Sequence, residues 1–277
     1  MHHTNERYRL LFVFFCFFFL LRLGLAADTN ASAWKILKAG TEDKSSVKRG
    51  QALTALGLLI NDSSAREAAE RALSDPSSDV RIAAVTALGN MNAKASIPKI
   101  KNILNATDGK TVVAIAAVLR KFDDPEGFEI YYEILTGERK TGGGILSGIK
   151  DKKSLEKMGF QEAIGFIPFG GVGLGAYNYF KQNDSSSVDV AAAVALADDP
   201  DPASEKALVK ASFAAKEVVQ VAALRALARR GDPKVASEIA PAMYSDHPII
   251  SYTAAATVIR LTSIRPAHPV KRQSASH

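Results

Sequence analysis

His247 is the one histidine between residues 27 and 264 of this 277-residue chain. Any imidazole base would have to be this residue, because His2 and His3 precede an apolar N-terminal run and His268 and His277 lie near the other end. Cys16, inside that apolar run, is the one cysteine, so the rest of the chain offers neither a disulfide nor a thiolate. Zinc sites draw on several Cys and His side chains together. A nucleophile triad needs a histidine held between a hydroxyl and a carboxylate. His247 precedes Pro248 where a helix begins, which reads as a turn or cap residue. Two carboxylate groups have the composition of acid–base pairs: Asp123-Asp124, and Asp198-Asp199 with Asp201. All stand beside proline at turns between helices, and capping of free amides explains them without catalysis. The expectation is a chain with no catalytic, cofactor-binding or metal-binding residues.

Gly171-Val172-Gly173-Leu174-Gly175-Ala176 has the spelling of a dinucleotide-binding turn, with Asp189 18 residues beyond Gly171. That turn works only where a strand delivers it to a helix N-terminus. Pro168 and a helical array flank this copy, so no cofactor is expected. Lys94, Lys99, Lys101 and Lys110 read as a solvated face rather than an anion site, as do Arg225, Arg229 and Arg230.

The elements that carry these residues recur. Val80-Arg81-Ile82-Ala83-Ala84-Val85-Thr86-Ala87-Leu88-Gly89 is the clearest copy of a phrase that also opens at Val47, Val112, Val188, Val219 and Ile250. The steps are 33, 32, 76, 31 and 31 residues. A fixed period of this size marks a stacked solenoid. Val80, Ala83, Ala84, Ala87 and Leu88 fall on one stripe of a helix, as do Val188, Ala191, Ala192, Ala195 and Leu196. Alternation of period two is absent, so strands are not expected. Second helices are expected over 65–73, 97–104, 126–135, 203–213 and 234–243. Asp75-Pro76, Asp124-Pro125, Asp201-Pro202 and Asp232-Pro233 are expected to start many of them, with Asp capping and Pro in the first turn. A lone hairpin cannot bury its stripe, so neighbours must stack.

The phrase from Asp75 to Gly89 resembles a HEAT repeat, most closely the short form of phycobilisome-lyase-like HEAT proteins. The resemblance runs from Val47 to about residue 264, apart from the middle segment. It implies an all-α, right-handed, armadillo-like α-solenoid of about six HEAT-like helical hairpins. It also implies a ladder in which a basic residue after the opening valine meets Asp; Lys48 and Arg81 keep that character, whereas Val113, Asp189, Gln220 and Ser251 depart from it. Di-iron HEAT-like enzymes carry paired His-Glu motifs, and no His-Glu dipeptide occurs in this chain.

Residues 1–26 read as a signal peptide. Arg7 and Arg9 precede twelve apolar residues at 10–21, and Gly24-Leu25-Ala26 supplies a small-residue cleavage site. The run is short for a bilayer span of about 20 residues; an uncleaved anchor is the alternative. The chain is expected to be exported, periplasmic or secreted. Of the net charge of +6, the first 26 residues carry +2, and Arg265, Lys271 and Arg272 in the tail carry +3. The solenoid body is therefore nearly neutral, and nucleic acid is not an expected partner. The expected organisation is a signal peptide at 1–26, N-terminal repeats at 27–135, an insertion at 136–187, C-terminal repeats at 188–264 and a disordered basic tail at 265–277. Trp34 is expected to cap the N-terminal end of the array.

The insertion is rich in glycine and aromatic residues. Phe166, Phe169, Tyr177, Tyr179 and Phe180 are its candidate partner-binding side chains. Three readings stand: a cover folded onto the core, a partner loop, and a hairpin that dips into a membrane surface. The expected function is a noncatalytic, protein-binding scaffold of the periplasm or cell envelope. The alternatives are an envelope-associated protein whose insertion contacts lipid or a membrane protein, and a lyase-like enzyme by family analogy alone.

Overall fold

The computed structural model describes residues 29–104, 108–136 and 186–263, and among them there are helices and turns but no strand. In chain order the α-helices are α1 (29–41), α2 (Ser46–Leu56), α3 (Ser63–Arg71), α4 (Ser78–Asn90), α5 (Ile97–Asn102), α6 (Gly109–Lys121) and α7 (Glu126–Thr136). After the middle segment come α8 (Ser186–Leu196), α9 (Pro202–Ala211), α10 (Glu217–Arg230), α11 (Ala236–Ile239) and α12 (Pro248–Ser263). Short 3₁₀ turns at Ala72–Ser74, Lys94–Ser96, Pro233–Val235 and Ala240–Tyr244 extend or break the second helices. Pro241 falls within the last of these, where a missing N–H does not interrupt an α-helical ladder.

Local chemistry sets these boundaries. Asp62 accepts from the Ala65 amide at 2.8 Å and starts α3, and Asp201 accepts from the Ala203 amide at 2.8 Å and starts α9. Asp108 accepts from the amides of Lys110 and Thr111, both at 3.1 Å, and starts α6. Asp75-Pro76 departs from expectation, because it precedes the first helix α4 and links two hairpins rather than the arms of one. Between the arms, Asn61, Asn92 and Asp123 adopt left-handed backbone with φ of 60°, 58° and 63°, and Gly231 does so at 76°. Short polar side chains and glycine tolerate that region.

Two stripes lie elsewhere than their spelling suggested. Val47 is 66% exposed, while Ala52, Leu53, Ala55 and Leu56 are buried. These match Ala84, Val85, Ala87 and Leu88 at a step of 32 residues, so Lys48 rather than Val47 is the counterpart of Val80. In α8 the Val188 stripe faces outward: Val188 is 70% exposed, and Ala191, Ala192 and Ala195 are also exposed. The helix packs through Val190, Ala193 and Ala197 on its opposite side.

The stacking order differs from the chain order. First helices pack as α8–α10–α12–α2–α4–α6, so the last described helix lies against α2 of the first repeat. Helix α1 completes the junction. Asn30 Nδ2 donates to Thr262 Oγ1 at 3.4 Å; ten residues further along α1, Gly40 meets the ring of Tyr252, ten residues back along α12. The two helices are thus antiparallel, and α1 is the second arm that α12 lacks in its own chain direction. Five hairpins are contiguous and the sixth is composite, made from the two ends of the described chain. Trp34 packs, half-buried, beside Ala33 and Leu37 of this central hairpin and does not cap an end. Thr136 and Ser186 belong to the hairpins at opposite ends of the stack.

Candidate protein-binding surface

The hairpins 29–136 are braced by a ladder of ions. The Arg49 guanidinium holds Asp75 bidentately, at 2.8 Å through Nε and 2.9 Å through Nη2, and also donates to the carbonyls of Asp43 and Lys44. Arg81 repeats the arrangement one unit on, donating to Asp108 and to the Asp75 carbonyl. Among the described residues Lys48 pairs only with Asp43, at 3.4 Å. The ladder's first basic residue is therefore Arg49, in keeping with the corrected register. The Arg49 hydrogen bonds hold the Asp75 carboxyl below its ordinary range, against the opposing effect of burial.

Glu70 ties the second arms together. Its buried carboxylate accepts from Arg66 at 2.9 Å, Ser96 at 2.6 Å and Lys99 at 2.5 Å. Burial alone would raise this carboxyl, but the three hydrogen bonds outweigh it and hold it below the ordinary 4.5. A carboxyl depressed in the fold contributes stability above its unfolded pKa and loses it as pH falls through the folded value. Urea midpoints are therefore expected to fall on acidification below about pH 4.5. Glu70→Gln should flatten that part of the profile and cost about 1–3 kcal/mol at neutral pH.

The lysines and arginines expected on solvated faces are mostly ties between hairpins. Lys101 bridges Asp124 and Glu126, both at 2.8 Å, and Lys94 lies 3.6 Å from Asp123. Arg230 donates to the carbonyls of Leu196, Asp199 and Asp201, and Arg229 pairs with Asp198 at 2.7 Å. Each closes against the preceding or following turn, 23 to 34 residues away in sequence, a distance that helical spacing alone does not display. Desolvation brings Arg225, on the same helix, down to about 10.

The carboxylate pairs serve as expected. Asp124 accepts from the Glu126 amide at 3.1 Å, and Asp199 accepts from the Asp201 amide at 3.2 Å and from Ser204. His247 is exposed and sits 3.6 Å from Glu217 Oε2 in a surface pair. Among the described residues no group of three His, Cys, Asp or Glu is placed to hold a metal ion, and no helix is long and apolar enough to cross a membrane. Phe166, Phe169, Tyr177, Tyr179 and Phe180, with the glycine fingerprint at 171–176, lie outside the described residues.

This bracing presents one surface that sequence reasoning passed over. The ladder positions α6, and α7 packs on α6 so closely that a Cβ at Gly127 would sit 2.7 Å from the Arg120 amide nitrogen. Ile130 faces inward, as does Glu133, whose Oε2 has no hydrogen-bond partner among the described residues. Phe128, Tyr132 and Leu135 face outward, 59%, 47% and 87% exposed. Their spacing of four and three residues aligns them on one face. The Arg120 guanidinium lies 4.1 Å from the centre of the Phe128 ring and holds it in place. The spacing was visible in the sequence; which side of α7 the core would take was not.

Residues 35–120 match the family model for HEAT repeats. This stretch is built of HEAT repeats. HEAT repeats serve in general as scaffolds for protein–protein contact and are typically noncatalytic. The matched residues contain the whole Arg–Asp ladder and end at Arg120, against the exposed face of α7. No curated protein matches the chain.

Proposed function

We propose that the protein is a scaffold of the periplasm or cell envelope that holds a protein partner against the outer face of α7. The observation that carries this reading is the row Phe128, Tyr132 and Leu135, exposed on a helix whose backbone is fixed by the ladder beneath it. Exposed aromatic residues on a rigid element are the composition of an interface core, and few such residues carry most of the binding energy. Export is supported by Arg7, Arg9, the apolar run at 10–21 and Gly24-Leu25-Ala26, and by the lack of cysteine after Cys16.

Proximity labelling in intact cells, comparing the native chain with Phe128→Ala/Tyr132→Ala/Leu135→Ala, tests the surface. The expected result is a specific captured protein whose yield falls more than about tenfold in the variant, since a single hot-spot residue contributes about 2 kcal/mol or more. An unchanged capture profile from a variant with native helicity and melting would remove α7 from the interaction. Fractionation and N-terminal sequencing of the same cells read the compartment and the cleavage site independently.

A further inference from the structure

The ties between hairpins are unevenly distributed. Arg49–Asp75, Arg81–Asp108, Glu70–Lys99 and Lys101–Asp124 all lie within 29–136. Arg229–Asp198, Arg230–Glu205 and the hydrogen bond from Thr257 Oγ1 to the Leu224 carbonyl all lie within 186–263. Among hydrogen bonds and ion pairs between described side chains, one crosses from one block to the other: Asn30 to Thr262, exposed and 3.4 Å long. Elsewhere the seam is close packing of α12 with α1 and α2, through residues such as Tyr252, Gly40 and Ala52. No ion pair between described residues joins the two blocks; the charges that reach Tyr252 across the join, Asp43 and Lys48, are paired with each other within the 29–136 block, and the contact itself has the apolar composition found where two chains meet.

We propose that this seam is an exchangeable interface whose alternative occupant is a second copy of the chain, the 186–263 block of one copy completing the 29–136 block of the other. Connectivity permits both closures. Five steps of about 8–10 Å separate the first and last hairpins, roughly 40–50 Å in all. The 49 residues from 137 to 185 are more than long enough for that distance, since each extends about 3.3–3.6 Å at most. Closure on the same chain is therefore favoured by local concentration rather than by a contact that only one chain can make. Exchange re-forms the same seam contacts between copies, which is why it costs little.

The test shortens the bridge. A chain with Cys16→Ser, Asn30→Cys and Thr262→Cys, in which about eight residues join Thr136 to Ser186, reaches only about 30 Å. It is expected to be a dimer by light scattering and to cross-link between chains on oxidation. The full-length chain with the same cysteines is expected to be mainly monomeric and to cross-link within one chain. A folded, monomeric shortened chain overturns the proposal. Should the shortened chain not fold, full-length chains of two tag masses, each cut at an engineered protease site near residue 150, decide the matter. Their halves are expected to stay together on gel filtration and to form mixed pairs on incubation. Halves that separate, or that never mix, overturn it.

Discussion

Ile259→Ala is expected to lower the unfolding free energy by about 2–5 kcal/mol, although Ile259 lies in the last turns of the last described helix. In a solenoid stacked in chain order this helix would end the array, one face open to water. Here α12 is third in the stack, with α10 on one side and α2 on the other. Ile259 is 1% exposed, and Val258 and Leu261 beside it are as deeply buried. Truncation leaves a cavity between three packed helices, which can relax only in part. Urea denaturation of the full chain measures the effect, and a loss below about 1 kcal/mol would contradict the placement of α12.

The second large effect has opposite signs at two glycines. A Cβ at Gly40 would sit 2.6 Å from the Tyr252 ring and 2.8 Å from Ala52 Cβ, with α12 and α2 approaching it together. Gly40→Ala gains up to about 1 kcal/mol of helix propensity. Overpacking costs about 1–3 kcal/mol, so the net effect is destabilising. At Gly50, within α2, an added Cβ meets Ala83 at an ordinary 4.0 Å. Gly50→Ala is therefore expected to stabilise by about 0.5–1 kcal/mol. Thermal melts of both variants check the signs. Combining Gly40→Ala with Tyr252→Ala separates a seam clash from a local effect on α1: only a clash makes the double variant less unstable than the two losses combined.

These effects show how far the sequence reads. Helical hairpins and most of their starts were legible because they depend on neighbours within four residues: Asp124, Asp201 and Asp232, each before a proline, accept from the first-turn amides that follow them. Of the salt ties, the Arg81 rung was implied only by the family resemblance, and the tie of Arg230 to the 196–201 turn was not legible at all, because it closes across a stack that periodicity does not describe. The face of α7 was half legible. Phe128, Tyr132 and Leu135 share a spacing that fits a core stripe equally well, and only packing on α6 through Gly127 turned them outward.

The order of the stack is the clearest case. Repeats with nearly the same valine–alanine–leucine stripe pack on one another almost interchangeably, so a local pattern cannot say which meets which. One signal was present: α12 carries a single charged residue, Arg260, among 16. A helix apolar on all sides belongs inside a fold, and an array end needs a polar outer face. By itself the sequence determined the unit, its period and its two-armed form, because these follow from side-chain spacing along a helix. The tertiary structure alone decided that α1 and α12 pair, that the chain's two halves meet through their ends, and that the seam holds no ion pair among the described residues. Those outcomes depend on which apolar faces find each other in space, and chain distance does not set that.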